Sequence, residues 1–539
     1  MRLNFEVQLF SRNGGIFSVK SSRRGSCDKL GVRRRGLIGF VGSGIWGITA
    51  LLVASSTLAT AEDGRGVGTG VPPEAETGLV AALERTITAA IARAERSVVA
   101  IYRVPRRKPG DPWGADVRPD PFGRQVVPFS GPRPRDPEFL PSEYGTGVIV
   151  DPRGQVLTAY HVIGEDVENY DFFVTTVDRR TFAATPFAAD PRSDLAILSF
   201  PAEGLQPITF GDASELRKGQ IVIALGNPYA IARDGQPSAS WGIVSNIQRK
   251  APPRLAGGET TGRTTLHHFG TLIQTDAKLN WGTSGGALIN LRGEMIGLLT
   301  SLPAVSGYET AAGYAYPVDE TFRRAVETLK QGREVEYGFL GVSPVDLANE
   351  ELIRGLHGAR VDRIVPGTPA ELCGLRAGDI VVAINGTPIY DADGLVLEVG
   401  RLPVEARVRV DFVRDGRRGQ VEAVLTKYPV RGRKIVSTPA PSWRGLRVDY
   451  LSAAIESGTG FYLASLPESG GVIVAEVQPG TGAWRAGLRP GFTIVRVEGA
   501  VVSSPRDFFQ AVAQAGGPVR LTVRDRPGGP LSQITVEPD

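Results

Sequence analysis

Two stretches near the end of the chain repeat each other. "GARVDRIVPGTPAELCGLRAGDIVVAINGTPI" begins at Gly358, and "GVIVAEVQPGTGAWRAGLRPGFTIVRVEGAVV" begins at Gly471. Pro366-Gly367-Thr368 aligns with Pro479-Gly480-Thr481, and Gly374-Leu375-Arg376 with Gly487-Leu488-Arg489, both at an offset of 113 residues. Each unit reads as strand, Pro-Gly turn, short helix, Gly turn, strand, a pattern that confines it to a small α+β domain. The repeat therefore predicts two similar domains, over 336–428 and 443–536. A basic, Pro-containing linker of exposed character, "PVRGRKIVSTPAPS", covers 429–442.

The preceding region has a different rhythm. Between 97 and 332, short β-branched or apolar runs such as "GTGVIV", "DLAILSF", "IVIALG" and "MIGLLTS" alternate with turns, and no βαβ spacing is visible. A chain with 67 Gly, 39 Pro and only 7% aromatic residues favours turn-rich β structure over long helices. An antiparallel barrel or sandwich follows. The stretch from Arg103 to Tyr144, rich in Pro, Arg and Asp, predicts a surface loop or lid. Helical periodicity marks about Leu79 to Arg96, within an N-terminal segment 62–96, and again "VDETFRRAVETLKQG" at the end of the β-rich region.

Within that region, Gly282-Thr283-Ser284-Gly285-Gly286 sets one hydroxyl among glycines. The stretch fits the G-x-S-x-G turn of an α/β-hydrolase, the G-x-S-G-G of a chymotrypsin-like protease, and a plain glycine turn. A serine hydroxyl attacks carbonyls only when a base takes its proton, usually a histidine oriented by a carboxylate. The chain has four histidines: His161, His267, His268 and His357. The hydrolase order, serine then acid then histidine, leaves only His357, at the edge of the repeats. The opposite order works: His161 ends the apolar run "VLTAYHVI", Asp194 opens "DLAILSF", and Ser284 follows. His267 and His268, in "TTLHHFG", read as surface or loop residues. Backbone N–H groups at Gly282 and Ser284 would hold an oxyanion, and Gly285 and Gly286 would let substrate backbone approach.

The leader carries its own message. Arg33-Arg34-Arg35 precede an apolar run from Leu37 to Leu58, and Ala59-Thr60-Ala61 follows as a cleavage-like site. Residues 1–61 therefore read as an export signal, or as an uncleaved anchor through 37–58, and the rest of the chain is expected outside the cytoplasm. Nine of the Lys/Arg and two of the Asp/Glu lie in this leader, leaving 52 basic against 55 acidic residues after it. The basic pI thus belongs to the leader and gives no support for a nucleic-acid surface. Cys27 lies in the leader and Cys373 in the first repeat. No internal disulfide is expected in the exported part, and two separated Cys and four His give no zinc spacing. No cofactor is implied.

Taken in order, "GTGVIVDPRGQVLTAYHVI", "DPRSDLAILSF", "GDASELRKGQIVIALGNPYA", "GIVSNIQR" and "LIQTDAKLNWGTSGGALINLRGEMIGLLTS" resemble the HtrA (Do-like) serine proteases, and the two repeats resemble PDZ domains. The resemblance covers roughly 97–536 in the order protease, PDZ, PDZ. It implies a mostly β fold, a chymotrypsin-like double β-barrel followed by two PDZ domains. It places a catalytic triad on His161, Asp194 and Ser284 and an oxyanion hole on the N–H groups of Gly282, Thr283 and Ser284. It implies an ATP-independent endopeptidase of protein quality control, acting on unfolded proteins and peptides, sometimes a chaperone as well. A homotrimer or larger homo-oligomer in the periplasm, or anchored in the inner membrane facing it, is the implied state. Arg249 matches a loop arginine that senses peptide-loaded PDZ domains, and a solvated surface charge is its other reading.

The chain departs from the family at Trp281 and Thr283 beside the serine, and at Ala159 and Tyr160 before His161. These put switching and rate in question, Trp281 in particular as a bulky side chain at the resting site. The first repeat's carboxylate loop would be Gly338-Phe339-Leu340-Gly341, with Pro344 removing one donor from the strand that would pair with peptide. In the second repeat Arg447 replaces the last loop glycine, so spacer and peptide-binding roles stay open there. A non-proteolytic binding protein built on the same barrel is the rival from another class.

Overall fold

The computed structural model describes residues 73–106, 141, 143–227, 235–251, 255–256, 259–260, 265–300, 312–456, 470–513, 515–526 and 528–539. The leader, its apolar run 37–58 and most of the Arg103–Tyr144 insertion lie outside the described residues.

Helix α1 (Pro73–Ala94) runs into a 3-10 turn, Glu95–Ser97, and so begins before the periodicity predicts. Its last two turns bury Ala90 and Ala94 on the β-rich region, with Ile87 and Ile91 packed beside them.

Six strands follow: β1 (Val98–Pro105), β2 (Glu143–Asp151), β3 (Gln155–Ala159), β4 (Tyr170–Thr175), β5 (Thr181–Asp190) and β6 (Leu195–Ser199). They pair antiparallel in the order β5-β4-β1-β2-β3-β6, and a further β5–β6 pairing closes the ring. A second set forms another closed barrel: β7 (Ile221–Gly226), β8 (Ser238–Arg249), β9 (Leu272–Thr275), β10 (Ala287–Ile289), β11 (Met295–Thr300) and β12 (Gly313–Pro317). The expected double barrel is therefore present. Strands such as β6 and β11 are buried along nearly their whole length, which explains continuous apolar runs in place of alternation. One apolar cluster, including Leu157, Ile197, Leu225, Leu298 and Tyr316, draws on both barrels, so they pack on a shared core.

After the barrels, α3 (Glu320–Lys330; the turn at His161, below, is α2) buries Phe322, Ala325, Val326 and Leu329, the spacing of one helical face. Asp319 caps its N-terminus by accepting from Phe322 N at 2.8 Å, a bond worth about 1 kcal/mol.

Each repeat then forms its own six-stranded sheet, with five strands in the same order and a short sixth, Thr387–Pro388 or Ala500–Val501, paired to the third. In the first, Val342–Asp346, Ala359–Ile364, Ile380–Ile384, Arg407–Arg414 and Arg417–Val424 pair in sequence. In the second, Leu446–Tyr450, Val472–Val477, Thr493–Val497, Val519–Arg524 and Ser532–Val536 do the same. Each packs one longer helix on its sheet: α4 (Ala392–Arg401) in the first and α5 (Pro505–Ala513) in the second. The separate clusters around Val381 and Ile494 are two independent cores.

The linker is less exposed than its composition predicts. Ile435–Val436 pair with Ala189 and Ala188 of β5 and add a seventh strand to the first sheet. Lys434 bonds Glu334 at 2.6 Å, and the exposed Arg433 bonds Glu165 O at 3.2 Å. Lys427, at the end of the first repeat, is buried between Asp449 of the second repeat at 2.8 Å, Glu334 at 3.0 Å and Glu336 at 3.3 Å. Burial opposes its charge, but the three carboxylates outweigh burial and hold the ammonium above the usual lysine range.

Candidate active site

The pairing of β3 with β6 builds the first half of the site. Their register sets Ala159 opposite Leu195. The next residue of one strand and the preceding residue of the other must then lie side by side. β3 runs into a single helical turn, α2 (Tyr160–Ile163), which carries His161. Asp194 enters β6 with φ of 55°, a left-handed conformation that Asp tolerates better than most residues. Tyr160 N donates to Asp194 O at 2.8 Å, and His161 N donates to Asp194 Oδ1 at 3.0 Å. The imidazole Nδ1 lies 2.7 Å from Asp194 Oδ2. A carboxylate there makes Nδ1 the donor and leaves Nε2 as the basic nitrogen. Nε2 is buried and makes no hydrogen bond.

The second half comes from the loop between β9 and β10, which carries Ser284 and docks on the first barrel. Thr146 of β2 donates its N–H to Ser284 O at 2.9 Å and its hydroxyl to Gly282 O at 2.7 Å, and accepts from Asn227 N at 2.8 Å. Gly285 N and Gly286 O bond Leu299 of β11, each at 2.8 Å. One loop is thus fastened to both barrels, and it holds Ser284 at 4% exposure.

A trypsin-like peptidase domain family matches residues 145–298, and a PDZ domain family matches 360–414 and 473–525. The chain is 32% identical over 379 residues to the probable periplasmic serine endoprotease DegP-like of Chlamydia trachomatis, covering 69% of this chain and 70% of that protein. It is 31% identical over 394 residues to the protein of that name in Marinomonas sp., covering 72% and 76%. The chain belongs to the HtrA family of DegP-like serine endoproteases. A solved HtrA-type protease, AlgW with a decapeptide, is 26% identical, with 64% of this chain and 98% of that one covered, at a TM-score of 0.46.

In this HtrA chain the loop glycines have another task than the sequence predicts. A Cβ at Gly285 would stand 2.1 Å from Thr146 O, and one at Gly286 would stand 2.3 Å from Leu225 O. They make room for the protein's own strands. Gly282, with φ of 93°, likewise passes close to Asn227 O and the Tyr144 ring. Within the loop, Thr283 donates both its N–H, at 3.2 Å, and its hydroxyl, at 2.7 Å, to Asn280 O. That Thr283 amide, one of the three that the resemblance assigns to an oxyanion hole, is engaged in the turn. Trp281 is 62% exposed, so its indole stands out into solvent rather than filling the cleft.

Three residues at the site escape sequence reasoning. Tyr316 of β12 donates its hydroxyl to Asp194 Oδ2, the oxygen that also meets His161, and lies 3.1 Å from Thr300 Oγ1. His267 stacks on the Tyr316 ring, with centroids 3.7 Å apart and planes 7° from parallel. Contrary to the expectation of surface residues, His267 and His268 are both buried. His267 bridges Thr271 Oγ1 at 2.6 Å and Ser193 O at 2.9 Å, and His268 caps its own turn through Thr265. "GYAYP" carried no sign of this, because Tyr316 and Asp194 meet only through the barrel closure.

Tyr316 acts through Asp194, so it is a positioning residue. Tyr316→Phe removes one donor from a charged acceptor. Asp194 then carries more negative charge toward the imidazole. The expected result is about a tenfold fall in kcat with KM unchanged, and an acid limb of the pH–rate profile displaced to higher pH. An unmoved limb would contradict the assignment.

Burial lowers the His267 pKa to about 4, despite the opposing bond to Ser193 O. Unfolded His267 takes up its proton near pH 6.5 but the folded residue only near 4. Stability is therefore complete above pH 6.5 and declines as pH falls toward 4, by about 2 kcal/mol at pH 5. Urea unfolding of the Ser284→Ala chain at pH 7.5 and 5 measures this. His267→Phe, which keeps a ring on Tyr316, is expected to remove most of that difference.

The remaining sequence candidates lie elsewhere. Arg249 ends β8 and donates to Gln274 Oε1 at 2.9 Å, within its own barrel. The neighbouring Lys250 reaches the first PDZ domain, bonding Asp391 at 3.2 Å and Asp393 at 2.7 Å at the start of α4. Gly338, Phe339, Leu340 and Gly341 form the loop entering the first sheet, and Gly338–Phe339 pair with Thr426–Lys427. Gly341 has φ of 91°, and Leu340 anchors the loop in the domain core. Among the described residues no group of His, Cys, Asp or Glu could hold a metal ion.

Proposed function

We propose that this chain is an ATP-independent endopeptidase of the periplasm that cleaves unfolded or misfolded exported proteins. The observation that carries the reading is the His161–Asp194 pair, held by two bonds on the same first barrel to which the Ser284 loop is fastened. In this mechanism Asp194 fixes the tautomer, so His161 Nε2 takes the Ser284 proton as Oγ attacks the peptide carbonyl. The N–H groups of Gly282 and Ser284 take the oxyanion. The imidazolium then protonates the leaving amine, and a water activated by the same nitrogen releases the acyl group. The His161 Nε2, which makes no hydrogen bond among the described residues, supports a resting arrangement that peptide bound at the first PDZ domain completes.

Two further parts of the reading rest on relatives and on surface chemistry. Proteins of the same family are named periplasmic, and a leader with an A-x-A site supports export. Leu79 and Val80 of α1, each 68% exposed, support a homo-oligomer that covers them.

The test is cleavage of unfolded β-casein and of a folded, disulfide-bonded control without ATP. At least a hundredfold preference for casein is expected, rising further when a peptide with a free C-terminus is added. Equal cleavage of both proteins would overturn the quality-control reading.

A further inference from the structure

We propose that the protease barrels complete the peptide groove of the first PDZ domain, with Arg192 as the counter-charge for a peptide's C-terminal carboxylate. This deepens the reading that peptide regulates the enzyme through that domain, and rests on it.

A groove of about 350 Å³ runs between the Gly338–Pro344 segment and α4, where Leu395 and Val399 line it. Part of its lining comes from outside the repeat domain. Arg192, from the loop between β5 and β6, and Phe269, from the turn before β9, supply that part beside Tyr428. Arg192 is the one charged residue among those that line the groove, and it is 1% exposed. Its guanidinium stands 3.7 Å over the Tyr428 ring and 5.7 Å from the Phe269 ring.

An extended peptide adding to the edge strand Val342–Asp346 would direct its terminus toward the glycine loop. Loop N–H groups can take the carboxylate oxygens, but a full negative charge entering a mostly apolar groove requires a compensating positive charge. Arg192 supplies it from across the domain boundary. In so low a dielectric the attraction is stronger than at an exposed site. The occupant is therefore a chain terminus with an apolar last residue, because Leu395 and Val399 face it and no second cation is at hand for an acidic side chain.

The same arrangement reaches the active site. Tyr337, the residue before the glycine loop, donates its hydroxyl to Asp190 Oδ2. Ser193 donates its N–H, at 2.9 Å, and its hydroxyl, at 2.6 Å, to that oxygen. Arg192 thus lies in a braced loop that ends at Asp194. A carboxylate drawn to Arg192 acts on a segment two residues from the carboxylate that orients His161.

The experiment uses the full chain with Ser284→Ala, so that peptide is bound and not cleaved. A fluorescein-labelled decapeptide ending in phenylalanine is titrated by anisotropy as the free acid and as the amide. The acid is expected to bind at least tenfold more tightly, and Arg192→Gln to reduce that ratio below threefold. An unchanged ratio in Arg192→Gln overturns the proposal. Equal binding of acid and amide to the parent chain overturns it while leaving the peptide-binding reading intact. No binding of either peptide removes both.

A second measurement needs no variant at Arg192. A diazirine on the peptide's last residue is expected to crosslink to Arg192 or to Leu266–Phe269, read by mass spectrometry. Crosslinks confined to residues 338–344 and α4 overturn the proposal.

Discussion

Replacing Ser284 with alanine is expected to lower kcat for unfolded casein by about a millionfold, with the urea midpoint unchanged. The size follows from the chemistry, since without the hydroxyl no acyl-enzyme forms and only binding and oxyanion contacts remain. The specificity of the test follows from the structure. The bonds that place this loop run through backbone and Thr146: Ser284 O accepts from Thr146 N, and Gly282 O accepts from the Thr146 hydroxyl. These bonds do not use the serine side chain, so alanine keeps them and the loop stays fastened to both barrels. A fall of less than a hundredfold in a folded chain would show that Ser284 is not the nucleophile.

Asp194→Asn has the next largest expected effect, about ten thousandfold in kcat. Asp194 meets three donors: His161 N–H at Oδ1, and both His161 Nδ1 and the Tyr316 hydroxyl at Oδ2. An asparagine presents one oxygen and one NH2 group to these neighbours. With its oxygen on the His161 N–H, its NH2 faces Nδ1 and drives the proton to Nε2, where the base is needed. The structure adds a condition on this result. Tyr316 can turn its hydroxyl toward Thr300 Oγ1, so the fold is expected to survive the change. A loss of activity no larger than that of Tyr316→Phe would contradict the role given to Asp194.

The parts of this protein that the sequence made legible are those with local signatures. The 113-residue offset marked two domains with one strand order, because each repeat carries its own Pro-Gly and Gly turns. Scarcity of histidine turned chain order into an argument, and His161 and Asp194 do meet, because β3 and β6 pair in a register that ends beside them. What stayed hidden depends on closure of the barrels and docking of the domains. Tyr316 and Asp194 are 122 residues apart and share no pattern. The polar flanks of "TTLHHFG" pointed to the surface, but stacking on Tyr316 and bonds to Ser193 and Thr271 bury His267. A second constraint on Gly285 and Gly286 stayed hidden because it comes from Thr146 and Leu225, strands no local motif could place there. A basic linker read as solvated, yet Ile435–Val436 carry it onto β5.

The most direct measurement is labelling with a fluorophosphonate, which reacts only with a serine activated by its base. The full chain, primed with unfolded casein, is treated and digested, and the phosphonylated residue is located by mass spectrometry. Label on Ser284, absent in Ser284→Ala and at least a hundredfold slower in His161→Ala, is the expected result. No label on Ser284 in the primed chain, or equal labelling of Ser284 in His161→Ala, would contradict a serine protease working through His161, Asp194 and Ser284.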